Sequence, residues 1–567
     1  MFLYYLKYLS LSLIIILIFS VQCKKTGKGK MEREFMSFLE EYESQVIPLS
    51  RECNLAYFEA TTTGDDALYK KWEELEIRLS KLHTDREKFN HLVKIRNSNE
   101  IKNPILRRQI EILYNEFLSH QIDEKKLELL IKTQAEIEKK YSTYRANIGG
   151  VEYTDNEIEE ILKTETDSRK LQAAWEASKR IGREVAKDVL ELVKMRNEIA
   201  RELGFSNFHA MKLKLNEQDP ERIKELFDEL DNMTKDAFIE QKKEIDQFLA
   251  NRYQIKISEL RPWHYQDRFF QEAPKIYKVD LDKYYRDKDI IKITEEYYAG
   301  IGLPIKDLIE KSDLFEREGK YQHAYCTDID RQGDVRVVCN IKPNYNWMST
   351  MLHEFGHAVY DKFTDRQLPW LLREPAHIFT TEAIAILFGR FAASPAWLRD
   401  VLGISEKEVA QMADECYKSL RLEKLVFSRW AQVMYRFEKS MYENPDQNLN
   451  QLWWDLVEKY QMLTKPAGRD EPDWASKIHI ALYPAYYHNY LLGELLASQI
   501  YYYIVKEILK GDPAKDYSFH RKQEVGRYLR DAIFKPGKKY FWNDMIKKAT
   551  GEELTAKYFA LQFVKGK

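Results

Sequence analysis

The chain has 567 residues, 44% hydrophobic and 32% charged, a composition for a soluble globular body large enough to form two lobes around a cleft. Lys and Arg total 89 against 91 Asp and Glu, and with a net charge of −2 and no long basic stripe the chain carries no footprint for nucleic acid. The 36 Tyr read first as packing in a helical core.

The N-terminus departs from this composition. Tyr8 to Val21 is almost wholly apolar, preceded by Lys7 and closed by Cys23-Lys24-Lys25. The run is short for a membrane-spanning helix and suits the core of a signal peptide. Cys23 stands where a bacterial lipoprotein signal carries its lipidated cysteine, although Gln22 replaces the small residue normal before it. The expectation is a signal peptide over residues 1–23 with lipid on Cys23, and the alternative is a membrane-anchored or simply cleaved segment. Either way the body is exported, facing the periplasm or the cell surface and meeting the membrane through its N-terminus. Residues 24–34 read as a polar tether, and residues 35–567 as one folded unit.

From about Glu34 the pattern is overwhelmingly helical, with apolar residues spaced by three and four. Trp175 to Leu203 reads as one amphipathic helix ended by Gly204, after which Ser206 or Asn207 starts another. Pro220, Pro262, Pro304, Pro484 and Pro513 punctuate the rest of the chain. The one convincing strand signal lies within Tyr321 to Ile341, where Arg336-Val337-Val338-Cys339 succeeds a polar turn at Gln332-Gly333. Cys326 and Cys339 flank that turn symmetrically and could face each other, bonded or not; Cys53 and Cys416 read as buried thiols.

Residues 353–357 read His-Glu-Phe-Gly-His. Positions i and i+4 share a helix face, so His353 and His357 can offer two imidazoles to one metal ion. Glu354 then projects beside the ion, where it can take a proton from water. A catalytic zinc site needs a third protein ligand and an open position. Glu382, in Phe379-Thr380-Thr381-Glu382-Ala383-Ile384-Ala385-Ile386-Leu387, is a lone acid in an apolar helix, costly to bury unless paired or bound to a cation. Two imidazoles and a carboxylate favour one Zn2+. Residues 477–490, Lys-Ile-His-Ile-Ala-Leu-Tyr-Pro-Ala-Tyr-Tyr-His-Asn-Tyr, would read alone as aromatic packing. Beside a zinc site they offer donors for an oxyanion and a cation for a carboxylate.

These residues, in their order, resemble the angiotensin-converting-enzyme family of peptidyl-dipeptidases. So do Phe38-Leu39-Glu40-Glu41-Tyr42, Tyr57-Phe58-Glu59-Ala60-Thr61-Thr62, Ala174-Trp175-Glu176-Ala177 and Lys194-Met195-Arg196-Asn197-Glu198-Ile199-Ala200. Thimet oligopeptidases are similar more distantly. The resemblance implies a mainly α fold, a large two-lobed helical gluzincin peptidase with a deep central cleft and a small β element before the zinc helix. It makes His353, His357 and Glu382 the zinc ligands and Glu354 the general base. It makes His479 the residue that stabilises the intermediate and Tyr490 the oxyanion tyrosine, although the His479–Tyr490 spacing falls one residue from each family's. Tyr486 or Tyr487 then neighbours the substrate carboxylate. His323-Ala324 matches the strand that holds substrate peptide groups, Lys477 the lysine that grips the C-terminal carboxylate, and Gln266 the glutamine of the same clamp, at altered spacing. The implied function is zinc-dependent hydrolysis of short peptides with release of C-terminal dipeptides. An endo-acting oligopeptidase and a zinc-retaining peptide-binding lipoprotein are the alternatives. Three departures qualify the match: Ile386 replaces an Asp that orients a zinc histidine, His488 replaces a chloride-binding arginine, and Gln322 replaces a disulfide cysteine.

Overall fold

The computed structural model describes residues 29–564, so the signal, Cys23 and residues 24–28 of the tether lie outside the described residues, while residues 30–34 already belong to the helix Lys30–Thr63 rather than to a tether. The described chain is mainly α, with two small two-stranded sheets. None of its helices is long and apolar enough to cross a membrane.

Two large apolar cores organise the helices. One gathers Leu352, Phe355, Val359, Phe379, Ile384 and Leu495. The other gathers Trp175, Val189, Phe270, Trp430, Trp454 and Ile480. Two long helices supply both. Pro220–Tyr253 gives Ile223, Leu226 and Phe227 to the first core and Phe238, Ile245 and Leu249 to the second. Glu406–Glu443 gives Ala431 and Tyr435 to the first and Leu425, Trp430 and Phe437 to the second. Long amphipathic helices with apolar residues on more than one face are what such bridging requires. A smaller core under the N-terminal helices joins Phe35, Phe38, Leu92, Leu113 and Phe117 to Trp370 and Leu371.

Several helix ends are set by their own local chemistry. Asp219 caps Pro220–Tyr253 by accepting from the Glu221 and Arg222 N–H groups, with Pro220 in the first turn. Asn207 caps Phe208–Leu215, accepting from Ala210. Gly204 ends the preceding helix at φ +88°. That helix begins at Ile181, however: the expected single run from Trp175 breaks at Arg180 into Ser168–Lys179 and Ile181–Glu202. The interruption is the single residue Arg180, still at helical φ −63° and ψ −26°, and both segments bury residues in the second core.

The hairpin before the zinc helix pairs Tyr325–Asp328 with Val335–Val338 in antiparallel register, Cys326 opposite Val337 and Tyr325 opposite Val338. Cys339 therefore falls two residues out of register with Cys326, and both are free thiols. A second hairpin, Ala146–Ile148 with Val151–Tyr153, turns through Gly149 and Gly150, both at positive φ. Such a Gly-Gly pair matches the twist of the flanking strands.

Candidate metal centre and substrate cleft

The helix Tyr345–Phe363 carries His353, Glu354 and His357. Asn344 caps it, accepting from Trp347 N–H at 2.8 Å. Ile378–Gly389 carries Glu382 and lies against it. The approach is so close that a Cβ on Gly356 would sit 2.8 Å from Ala385 Cα, so this position of the motif has room for glycine alone. Ser349 Oγ donates to Gly389 O at 3.0 Å across the same seam. A third helix, His488–Tyr503, closes from the other side, where a Cβ on Gly493 would lie 3.0 Å from Glu382 Cγ.

The contact brings three ligand atoms within 4.8 Å of one another. His353 Nε2 is 3.8 Å from Glu382 Oε1, and His357 Nε2 is 3.6 Å from Glu382 Oε2. Ligands about 2.0–2.1 Å from a tetrahedral zinc ion stand roughly 3.3–3.4 Å apart, so each histidine–carboxylate separation is a few tenths of an ångström wider than an ion would set it. Electrostatics point the same way. Burial lowers His353 to about 4, and burial followed by His353 depresses His357 well below the ordinary imidazole value. Burial, with Glu494 adding, pushes Glu382 up to about 7; burial, with Glu382 adding, pushes Glu354 up to about 8. Imidazoles that resist protonation beside carboxylates that resist ionisation form a site whose penalties a divalent cation relieves.

The imidazole supports differ from those expected. His357 Nδ1 lies 2.8 Å from Thr381 Oγ1, so a hydroxyl next to Glu382 takes the orienting part that Ile386 cannot. Near His353 is a buried charge group: Glu494 accepts from Lys424 Nζ at 2.8 Å and from the Arg390 guanidinium. Burial opposes its ionisation, yet Arg390 and Lys424 hold Glu494 down to about 2. Neither Thr381 nor this network stands out in the sequence. A hydroxyl among apolar helix residues gives no spacing signal, and the network joins three separate helices.

Tyr486 and Tyr490 pack edge-on at 5.4 Å between centroids, and burial raises both phenols, with the Glu382 charge adding. They lie on the metal side. Tyr487 points elsewhere, its hydroxyl accepting from Trp430 Nε1 at 2.8 Å. The His479 ring lies 5.1 Å from that of Tyr487 and 5.6 Å from that of Tyr483. Its Nδ1 is buried with no hydrogen-bond partner among the described residues. Burial, then Lys477, lowers it to about 4, so the ring is neutral at pH 7.

Lys477 is buried with Nζ about 5 Å from three aromatic rings: 5.0 Å from Phe269, 5.5 Å from Trp430 and 5.6 Å from Tyr487. Burial brings its ammonium down to about 8, with Asp267 opposing. Its hydrogen-bond acceptor is Gln271 Oε1 at 2.5 Å. Gln266, the residue expected there, is buried at φ +63° and makes no hydrogen bond to Lys477 among the described residues. The irregular loop after Trp263 carries the amide to the lysine five positions later than the motif spacing suggests.

His323 is exposed and Ala324 half-buried at the entry of the Tyr325–Asp328 strand, which among the described residues pairs with a strand on one side only. His488 is buried, with Nε2 2.7 Å from Gln218 Oε1, and burial followed by His377 lowers it to about 3. No positive charge stands at that position at neutral pH.

A family model described as angiotensin-converting enzyme matches residues 29–245, and one described as peptidase family M3 matches residues 308–564. Curated angiotensin-converting enzymes align over about half of the chain or more. That of Rattus norvegicus is 23% identical over 430 residues, 70% of this chain and 32% of the relative. That of Mus musculus is 21% identical over 569 residues, 93% of this chain and 42% of the relative. That of Mesocricetus auratus is 22% identical over 295 residues, 50% of this chain and 22% of the relative. The chain thus spans between about a fifth and two fifths of the length of these relatives. Its likeness runs to the first family in the N-terminal half and to the second in the catalytic half.

Proposed function

We propose that this chain, similar to angiotensin-converting enzymes and to family M3 peptidases, is a zinc metallopeptidase that releases dipeptides from the C-termini of short peptides. The observation that carries the peptidase reading is the convergence of His353, His357 and Glu382 with Glu354 buried beside them. A zinc ion held by those three side chains would supply a Lewis acid that polarises the scissile carbonyl and acidifies a water.

The remaining work falls to the chain. Glu354, on the ligand helix, accepts the proton of the attacking water and returns it to the leaving amine. Its elevated proton affinity without a cation falls when the Glu382 charge is compensated, which brings it toward the range of a working base. Tyr490 and neutral His479 each have an X–H to donate to the developing oxyanion. The one-sided strand at Tyr325–Asp328, entered through His323 and Ala324, offers backbone groups to an extended peptide, as in strand addition.

Dipeptide release rests on Lys477. An ammonium that is buried, ringed by aromatic faces and bonded to a neutral amide carries a charge that a substrate carboxylate would complete. Export through residues 1–23, with a lipid or membrane anchor at Cys23, belongs to the same proposal: extracytoplasmic peptides are the substrates, and fractionation of the native protein before and after Cys23→Ser tests it.

The deciding experiment is mass spectrometry of products from a blocked pentapeptide offered as free acid and as C-terminal amide. Loss of a C-terminal dipeptide from the acid alone supports the proposal. Equal internal cleavage of both favours an endo-acting oligopeptidase, and cleavage of neither favours a peptide-binding lipoprotein.

A further inference from the structure

A second triplet with the composition of the catalytic one lies in the N-terminal helical unit. His83 ends the helix Asp66–His83; Glu116 and His120 stand one turn apart at the end of Pro104–Ser119, with His120 as its C-cap. Ligand atoms of the three fall within 4.8 Å of one another. The His83 and His120 ring centroids are 5.0 Å apart, and His83 Nδ1 lies 3.8 Å from Glu116 Oε1. That distance is beyond hydrogen-bond reach and matches the 3.6–3.8 Å separations in the catalytic cluster.

The hydrogen bonds around the triplet prepare both rings as ligands. His83 Nε2 is 2.9 Å from Tyr42 OH, whose oxygen can accept the ring N–H in the tautomer that leaves the Nδ1 lone pair toward Glu116. Ser119 OH is spent on Glu116 O at 2.7 Å, and the same carbonyl, which can only accept, lies 2.8 Å from His120 Nδ1. His120 therefore carries its proton on Nδ1 and its lone pair on Nε2. The His83 side chain is 6% exposed, with its ring against Tyr42 and edge-on to Phe117, whereas His120 is 27% and Glu116 49% exposed. One ligand is thus fixed by packing, and the carboxylate has room to close a few tenths of an ångström onto an ion that arrives from solvent. Two helix C-termini end here, and the negative ends of their dipoles favour positive charge.

We propose that His83, Glu116 and His120 form a second, exchangeable site for a borderline divalent transition metal, Zn2+ above all, which clasps the ends of these two helices. The site sits against Phe117 in the small N-terminal core, apart from the core that holds the catalytic helices. Two imidazoles and a carboxylate with an open position select Zn2+ over Mg2+ or Ca2+.

Native mass spectrometry of the full protein in about tenfold excess of Zn2+ counts the ions. The parent is expected to carry two ions and Glu116→Gln/His120→Asn one, with unchanged circular dichroism because both substituted side chains are partly exposed. His353→Gln/His357→Gln is expected to keep one ion, which separates this site from the catalytic one. In the parent, Zn2+ beyond the first equivalent raises Tm, and in Glu116→Gln/His120→Asn this second rise is lost. A single ion in the parent, or an undiminished count in Glu116→Gln/His120→Asn, overturns the proposal.

Discussion

Thr381→Val is the perturbation that most sharply probes how this chain holds its metal. The substitution keeps the shape of the side chain and removes the hydroxyl 2.8 Å from His357 Nδ1. Thr381 is 8% exposed, so water does not readily replace the lost partner. The imidazole then has a buried N–H with no acceptor, at a cost of about 1–3 kcal/mol. If the bound state bears that cost, zinc affinity falls by roughly 10–100-fold, the range typical for loss of a ligand's hydrogen-bond partner. Competition with a chromophoric chelator measures the affinity directly. Thr381→Ser keeps the oxygen and is the control, expected within about twofold of the parent, which corresponds to some 0.4 kcal/mol. Equal affinities for the Val variant and the parent would refute the orienting role of Thr381 and return the question to the position of Ile386.

The site makes four further outcomes testable. Glu354→Gln is expected to retain zinc by metal analysis and to lose about 10²–10⁴-fold in kcat, since it removes the proton acceptor and no ligand. Lys477→Ala is expected to raise KM for free-acid peptides by at least about tenfold while leaving amidated peptides within about twofold, because one buried charge partner is removed. Lys477 is held below its ordinary value, at about 8, so its charge is present at neutral pH and lost as pH rises through that value. In the parent, KM for free-acid peptides should therefore climb above about pH 8 while that for amides stays flat; identical pH profiles would argue against the clamp. Since His488 is neutral and bonded to Gln218, kcat/KM should be unchanged between chloride-free and chloride-containing buffers of equal ionic strength.

The features visible in the sequence are those set by short-range geometry. Two histidines four apart share a helix face whatever surrounds them, and a lone acid in Phe379–Leu387 announces a partner. Asn207, Gly204 and Pro220 mark helix ends through their own backbone and side-chain chemistry. The features that escape depend on how distant segments meet. The Gln271 amide reaches Lys477 from an irregular loop, where spacing carries no information about reach. Thr381 matters because it faces His357 across a helix seam, and its residue type alone does not say so. The symmetric placement of Cys326 and Cys339 about Gln332-Gly333 suggests a facing pair, but the strand register shifts them apart by two residues. His83, Glu116 and His120 come from two helices separated by a third, so no local pattern joins them.

Everything proposed for this chain as a peptidase depends on a metal ion at His353, His357 and Glu382. The most direct test is hydrolysis of an internally quenched peptide by the purified protein before chelation, after removal of metal, and after return of one equivalent of Zn2+. Activity is expected to disappear on chelation and to return with zinc in the parent but not in Glu382→Gln. Hydrolysis that survives complete metal removal would contradict a metal-dependent mechanism.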